Sequence, residues 1–282
     1  MKALVTGAGG MLARALIGAL ERGGHEVVGL ARADADVRRP DALQHPLKLV
    51  SPDWIFHLAA WTRVDECEKD PDRAFDVNAL GARNVALAAV SCGAGLLIVS
   101  TDYVFDGTAS RPYREFDPVA PRSIYAASKW AGEELVRQIC ARHIVVRTAW
   151  LFGRGGPNFV DTVLHRAGAG EALRVVDDQR GSPTWSEDLA PLLVTLAVSS
   201  HVGTFHATNS GDCTWWELAS HVVRSSGLAA TVEKVSTADL GRPAARPAYS
   251  VLSNHLVERV TGDRMPHWRD AVDRYLATRV QA

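Results

Sequence analysis

The chain has 282 residues, of which 47% are hydrophobic, enough to bury one large core or two unequal ones. Its 31 Lys and Arg residues are balanced by 32 Asp and Glu residues, so it has no global basic field to hold nucleic acid or an anionic membrane. No apolar run reaches the ~18 residues of a membrane span. Four cysteines stand without a CxxC pair, which suits reduced thiols better than disulfides or zinc. We therefore expect a cytoplasmic protein that binds neither nucleic acid nor membranes.

Short apolar segments alternate with longer helical stretches over about the first 150 residues. The apolar segments are KALVTG, HEVVGLA, PDWIFHLAA, LLIVSTDYVF and HIVVRTAWLFG. This alternation is typical of strands and crossover helices in a buried parallel sheet. The sequence predicts an α/β fold whose residues 1–149 form a doubly wound parallel sheet, a Rossmann domain that binds a dinucleotide.

The second part of the chain has a different composition. After Gly153 come a glycine-rich loop, GRGGPNF, a polar turn, DDQRGSPTW, and a proline-rich stretch, GRPAARPAYS. We expect residues 150–282 to form a smaller substrate-binding lobe over the carboxyl edge of the sheet. The segment 203–209, GTFHATN, is expected to return a strand to the first domain.

A glycine cluster, VTGAGGMLARAL, joins the first apolar segment to an amphipathic stretch. Gly7 would permit the tight turn, Gly10 would let the backbone approach a pyrophosphate, and Ala13 would allow close packing of helix and strand. The free N–H groups at the helix start would face the phosphates. The alternative is a bare strand-to-helix turn, which the position at the start of a βαβ unit makes the weaker interpretation.

The end of the second strand indicates which dinucleotide is bound. An acidic residue there would bind the 2′-hydroxyl of the adenine ribose, but this chain has Ala31 and then Arg32, whose cation suits a 2′-phosphate. This favours NADPH, with NADH as the alternative if Arg32 is merely solvated.

The segment IYAASKWAGEE places Tyr125 four residues before Lys129, so in a helix both side chains lie on one face. Thr101 follows a strongly apolar strand, at the edge where α/β folds bind ligands. A free phenol has a pKa of ~10, and a neighbouring ammonium would stabilise the phenolate left after proton donation. The pair therefore indicates an acid catalyst rather than an exposed helical pair.

Taken together, these segments resemble the extended short-chain dehydrogenase/reductase superfamily and, within it, the dTDP-4-dehydrorhamnose reductase family. The matching segments run nearly end to end, and STDYVFDG, RTAWLFG and VVDDQRGSPT are the most specific. The resemblance implies that Tyr125 donates a proton, Lys129 binds the nicotinamide ribose and Thr101 hydrogen-bonds the reacting carbonyl. It also implies substrate contacts from Asp102 and Trp150.

The resemblance further implies a set of residues that line the dinucleotide. Besides Gly7 and Arg32, these are Gly10, Met11, Leu12, Asp36, Val37, Leu58, Ala59 and Ala60. Arg246 is a candidate for the substrate diphosphate because arginine binds phosphate through two hydrogen bonds, with a surface arginine as the equal alternative. Trp215 and Trp216 are expected to be half core and half interface, and His57 a core histidine.

The implied activity is NADPH-dependent reduction of the C4 ketone of a dTDP-4-keto-6-deoxyhexose, first of all dTDP-4-dehydro-L-rhamnose to dTDP-L-rhamnose. One alternative is the reduction of a different dTDP-4-keto sugar. Another is a non-catalytic regulatory role like that of the methionine adenosyltransferase beta subunit. An epimerase is less expected, because epimerases of this type retain NAD and the acidic residue that is absent at Ala31.

Magnesium is not expected. Family members that bind it between subunits use a glutamate where this chain has Ala15, and Glu187 alone is a poor site for a cation that takes several oxygen ligands. A homodimer stays open, but not one that depends on the metal.

Overall fold

The computed structural model describes residues 1–280, so residues 281–282 of the predicted lobe lie outside the described residues. The strands are β1 (Lys2–Thr6), β2 (Glu26–Leu30), β3 (Trp54–His57), β4 (Gly95–Thr101), β5 (His143–Thr148), β6 (Leu151–Phe152), β7 (Leu173–Val176), β8 (Arg180–Gly181), β9 (Thr184–Trp185), β10 (Gly203–His206), β11 (Cys213–Thr214) and β12 (Val232–Val235).

The helices are α1 (Met11–Arg22), α2 (Gln44–Val50), α3 (Val64–Lys69), α4 (Pro71–Phe75), α5 (Gly81–Cys92), α6 (Ile124–Ile139), α7 (Phe159–Gly168), α8 (Ser186–Val198), α9 (Trp215–Ser225), α10 (Thr237–Leu240), α11 (His255–Thr261) and α12 (Trp268–Val280). Short 3₁₀ turns cover Pro40–Leu43 and Asp102–Val104, and a π-helical segment covers Asp76–Leu80. Within residues 1–280, no helix is both long and apolar enough to cross a membrane.

Six parallel strands form the central sheet in the order β10-β5-β4-β3-β1-β2. The strand order reverses between β1 and β3, and ligands of open α/β sheets bind at such a reversal, beyond the carboxyl ends of the strands. Thr6 and His57 end these two strands and are joined by a 2.8 Å contact from the Thr6 hydroxyl to His57 Nδ1. The predicted doubly wound sheet is confirmed.

Alternate residues of each strand face the two layers of helices, as the pleat of a strand requires. Ala3 and Val5 pack with α1 and α8 on one side, whereas Leu4 packs with α2, α5 and α6 on the other. Because both faces are covered, the strands read as continuous apolar runs. His57 is buried and, as expected, belongs to this core; burial lowers its pKa to about 3, so it is neutral.

A separate apolar core holds the smaller lobe together. It is formed by α7, α9, α12 and short strand pairs, with Trp268 and Tyr275 fully buried at its centre. The chain also returns to the sheet: β10 pairs in parallel with β5, and α8 and α11 add Leu193 and Val257 to the core of the sheet. The lobe therefore connects to the sheet at several points along the chain.

Candidate active site

The glycine turn after β1 has the backbone that the sequence predicts. Gly7 has φ +76°, and a Cβ placed there would lie 2.7 Å from the backbone nitrogen of Ala59. Only glycine fits both the conformation and the space. Helix α1 starts after Gly10 without a side-chain cap, so N–H groups of its first turn are available to an anion.

Two adjoining cavities form a groove along the carboxyl edge of the sheet. Their volumes are about 340 and 360 Å³, and they share the glycine turn and the loop after β3. The first extends to Arg32, and the second to Tyr125 and Lys129. The predicted dinucleotide residues all line one or both: Gly7, Gly10, Met11, Leu12, Arg32, Asp36, Val37, Leu58, Ala59, Ala60, Tyr125 and Lys129. The groove, free of side chains at its glycine turn, fits a dinucleotide.

The far end of this groove carries two arginines around one carboxylate. Arg38 Nε donates to both oxygens of Asp36, at 3.0 and 3.1 Å, and Arg32 Nε reaches the same carboxylate at 3.4 Å. The Arg38 hydrogen bonds hold the pKa of Asp36 well below its usual range. The Asp36 charge is therefore neutralised, and this end of the groove is suited to an added anion. Arg38 was not among the residues predicted from the sequence, although it follows Asp36 by two residues.

Tyr125 and Lys129 are both buried on α6, whose first turn is capped by Ser123 accepting from the Ala126 N–H at 3.2 Å. Lys129 Nζ donates to the carbonyl of Val99 at 2.8 Å. Burial lowers the pKa of this lysine to about 8. Burial also raises the pKa of Tyr125, opposed by the Thr101 hydroxyl. In the chain alone burial dominates the pKa of Tyr125, so the phenol keeps its proton.

Thr101 ends β4 beside Tyr125 and is held by its neighbours. Its hydroxyl donates to Asp102 Oδ1 at 3.1 Å and accepts from the N–H of Tyr103 at 3.2 Å. Asp102 lies behind it with 2% exposure, and burial raises the pKa of this carboxyl to about 7. Tyr103 packs edge-on against Tyr125, with ring centroids 6.1 Å apart.

The π-helical segment brings a further residue to this site. Asn78 donates to the Ser128 hydroxyl at 3.0 Å and to the Trp61 carbonyl at 3.1 Å, and it accepts from the Trp61 N–H at 2.8 Å. It thereby joins α6 to the loop after β3, the two sides of the groove. The widened turn that places Asn78 lies between α4 and α5 and has no periodic signal of its own in the sequence.

A cavity of about 370 Å³ opens between the lobe and Tyr103. Trp215 lines it and stacks on Trp150, with ring centroids 3.5 Å apart and planes 8° apart. Trp150 has φ +46°, unusual for a bulky side chain. A Cβ at Gly181 would lie 2.5 Å from the Trp150 indole, so this glycine leaves room for the stack. Trp216 instead donates its Nε1–H to the Val232 carbonyl at 2.9 Å.

Arginines line the same cavity. Arg246 is nearly buried and bonds Asp65 through two nitrogens at 3.0 and 2.8 Å, so it is not a solvated surface residue. Arg174 and Arg242 also line the cavity, and neither has a carboxylate partner among residues 1–280. The cavity thus combines an aromatic wall with cations, as an aromatic base joined to phosphates requires.

Neither of the two positions considered for a magnesium ligand, Ala15 and Glu187, offers a free carboxylate. Ala15 is buried in the core, and the Glu187 carboxylate lies 3.6 Å from the Arg22 guanidinium. In the described part of the chain, no group of three or more His, Cys, Asp or Glu side chains is arranged to hold a metal ion.

Comparison with known proteins places this geometry in a family. The model of the RmlD substrate binding domain family matches residues 1–280. The chain belongs to this family. The chain is 42% identical to a dTDP-4-dehydrorhamnose reductase of Streptomyces griseus, over 95% of this chain and 91% of the relative. It is 37% identical to a dTDP-4-keto-6-deoxy-D-glucose reductase of Streptomyces niveus, over 95% and 94%.

A solved structure resembles this chain over its whole length. It is a dTDP-4-dehydrorhamnose reductase of Bacillus anthracis in complex with NADP, with TM-score 0.95 and 38% identity over 99% of this chain and 100% of that one. The family resemblance and the Rossmann-type fold expected from the sequence are therefore confirmed.

Proposed function

We propose that this RmlD-family chain is an NADPH-dependent reductase of the C4 ketone of a dTDP-4-keto-6-deoxyhexose. The first candidate substrate is dTDP-4-dehydro-L-rhamnose, with dTDP-L-rhamnose as product. One observation carries the proposal: Tyr125 lines the dinucleotide groove and packs against Tyr103, which lines the cavity of the lobe. A proton donor thus stands between a site for the cofactor and a site for a nucleotide sugar.

The residues of the groove fit NADPH, which when bound supplies the hydride. The uncapped start of α1 would hold the pyrophosphate, Arg32 and Arg38 the 2′-phosphate, and Lys129 the nicotinamide ribose. The Bacillus anthracis relative is described in complex with NADP, which supports this choice.

The chain itself contributes the proton. As the ketone carbon accepts the hydride, its oxygen gains negative charge and takes the proton of the Tyr125 hydroxyl, leaving an alcohol and a tyrosinate. For Thr101 to donate to the same oxygen, its hydroxyl would turn away from Asp102, to which it donates in the chain alone. The Lys129 ammonium on the same face of α6 favours the tyrosinate, which regains its proton from solvent. The high pKa of the buried phenol keeps the proton available until charge develops.

In the lobe, the stacked Trp150 and Trp215 would hold the sugar or the base, and Arg246 with Arg174 and Arg242 the diphosphate. Asp102 is proposed to reach the substrate only through Thr101, because its side chain is buried behind that residue. We also propose a cytoplasmic location, which agrees with four free cysteine thiols.

A different dTDP-4-keto sugar is the second candidate. The Streptomyces griseus and Streptomyces niveus relatives, at similar identity, are named for different sugars. The deciding experiment incubates the protein with NADPH and a panel of dTDP-4-keto sugars and determines the C4 configuration of each product by NMR. The rhamnose precursor is expected to be consumed fastest. NADPH binding without consumption by any sugar would favour a regulatory role instead.

A further inference from the structure

Four polar side chains follow one another at four-residue spacing along α6. They are Tyr125, Lys129, Glu133 and Arg137, which stand one above the other on a single helix face. The first two face the groove, and Glu133 lies one turn deeper, with 0% exposure. Tyr125 and Lys129 are therefore followed on the same helix face by a buried carboxylate that has no part in the proposed reaction.

Glu133 is held ionised by two arginines. Arg147 on β5 donates to it from Nε at 3.1 Å and from Nη2 at 2.8 Å, and Arg137 donates from Nη2 at 2.7 Å. Burial would raise the pKa of Glu133, but the charge and hydrogen bonds of Arg147 outweigh it, and the net pKa lies below its usual range.

Stability does not account for burying this pair. Arg147 is 1% exposed, in register between Ser100 on β4 and His206 on β10. Removing two charges from water costs about as much as their attraction returns, and well-packed apolar residues of similar volume are often as stable. A functional role for the charges of Glu133 and Arg147 would explain why apolar residues do not occupy these positions.

Lys129 is the group on which the Glu133 charge acts. It is buried, and its direct partner, the Val99 carbonyl, carries no charge. Burial lowers its pKa to about 8, and the charge that opposes this is the Glu133 carboxylate. Without Glu133, a larger fraction of the lysine would be neutral at the pH of turnover.

The other ionisable groups around this pair do not replace Glu133. His57 and His206 are kept neutral by burial, which lowers their pKa values to about 3. Burial raises the pKa values of the carboxyls of Asp102 and Glu115. These four are His57 on β3, His206 on β10, Asp102 after β4 and Glu115 in the loop before α6.

We propose that Glu133 is a positioning residue for the reaction: its carboxylate, anchored by Arg147 and Arg137 one turn below Lys129, keeps that lysine charged inside the protein. The proposal rests on the proposed function, in which the Lys129 ammonium binds the nicotinamide ribose. Glu133 itself touches neither substrate nor cofactor.

The test measures NADPH affinity against pH by fluorescence, in a Tyr125→Phe parent so that the phenol beside Lys129 is absent. Glu133→Gln keeps the shape and removes the charge. Glu134→Gln is the matched control, because Glu134 is the next residue and bonds the same Arg137, but is partly exposed. The midpoint at which affinity is lost on raising the pH should fall by about one pH unit in Glu133→Gln, the size expected of one nearby buried charge. It should not move in Glu134→Gln.

Lowering the pH separates this role from a structural one. At about pH 6 the lysine is charged in every variant, so Glu133→Gln should bind as the parent does. Glu133→Asp, which keeps the charge, should restore the midpoint. If Glu133→Gln does not fold, Glu133→Gln with Arg147→Met removes both buried charges. The midpoint should still fall, but by less, because the Arg147 cation that repels the lysine is removed too.

If the midpoint is unchanged in folded Glu133→Gln, or if this variant binds NADPH weakly at every pH, the proposed role of Glu133 is overturned while the proposed function stands. A parent that binds no NADPH at any pH removes the proposed function and this inference with it.

Discussion

The two arginines at the end of the groove predict a preference for NADPH that single substitutions should dismantle. Arg32 is the exposed member, with 67% of its side chain accessible, and its contact to Asp36 is long at 3.4 Å. It can therefore turn to a 2′-phosphate at little cost. The Arg38 side chain is held by three shorter contacts to Asp36, so it neutralises that carboxylate as well as facing the groove.

These positions set the expected magnitudes. A charge-assisted hydrogen bond contributes about 1.5–3 kcal/mol, and the exposure of Arg32 places it near the lower end, about tenfold in relative efficiency. Arg32→Ala should lower the NADPH to NADH ratio of kcat/KM by about that factor. Arg38→Ala should lower it further, since it also leaves the ionised Asp36 to repel the phosphate. Adding Asp36→Asn should recover part of this second loss.

The assay is initial-rate kinetics with both cofactors at saturating sugar. The loss should appear mainly as a raised KM for NADPH, with NADH nearly unchanged in Arg32→Ala. If the wild type uses both cofactors equally, or Arg32→Ala keeps the ratio, then Arg32 is only a solvated residue. Equal effects on NADPH and NADH would show that the arginines support the loop rather than the phosphate.

Three further predictions concern the reaction, the metal and the packing. Tyr125→Phe should lower kcat by about 10²–10⁴-fold, the usual contribution of a general acid, with unchanged NADPH affinity by fluorescence titration; turnover within tenfold of wild type would contradict its role. Activity should survive EDTA because Arg22 already pairs with Glu187, and a rate restored only by added magnesium would refute this. Gly132→Ala would place a Cβ 2.4 Å from the backbone carbonyl oxygen of Asn78. This overpacking should lower the free energy of unfolding, measured with urea or heat, by about 1–3 kcal/mol. An unchanged unfolding curve would show that the π-helical turn shifts to make room.

Local spacing predicts the parts of the site that depend on one element. The four-residue spacing of Tyr125 and Lys129 and the glycine turn at Gly7 are set within a few residues, so both can be identified from the sequence. Glu133 continues the same spacing, but its importance depends on Arg147, which reaches it from a neighbouring strand.

Contacts between distant segments are not predictable in this way. Trp150 stacks on Trp215, which is 65 residues away in the chain, with a left-handed backbone that no local pattern indicates for tryptophan. Arg246 pairs with Asp65 across 181 residues of chain, so no local pattern distinguishes this buried arginine from a surface one. Even the contact of Arg38 with Asp36 depends on the turn between β2 and Pro40 rather than on spacing alone.

The position of β10 bears on how the chain is made. Residues 1–148 leave the ribosome before β10, so one side of β5, His143–Thr148, stays without its parallel neighbour until residue 206 has emerged. An unpaired apolar strand edge is a template for association with other chains. Ribosome-bound chains from which residue 148 but not residue 206 has emerged should therefore recruit chaperones or aggregate, and chains from which residue 206 has also emerged should not.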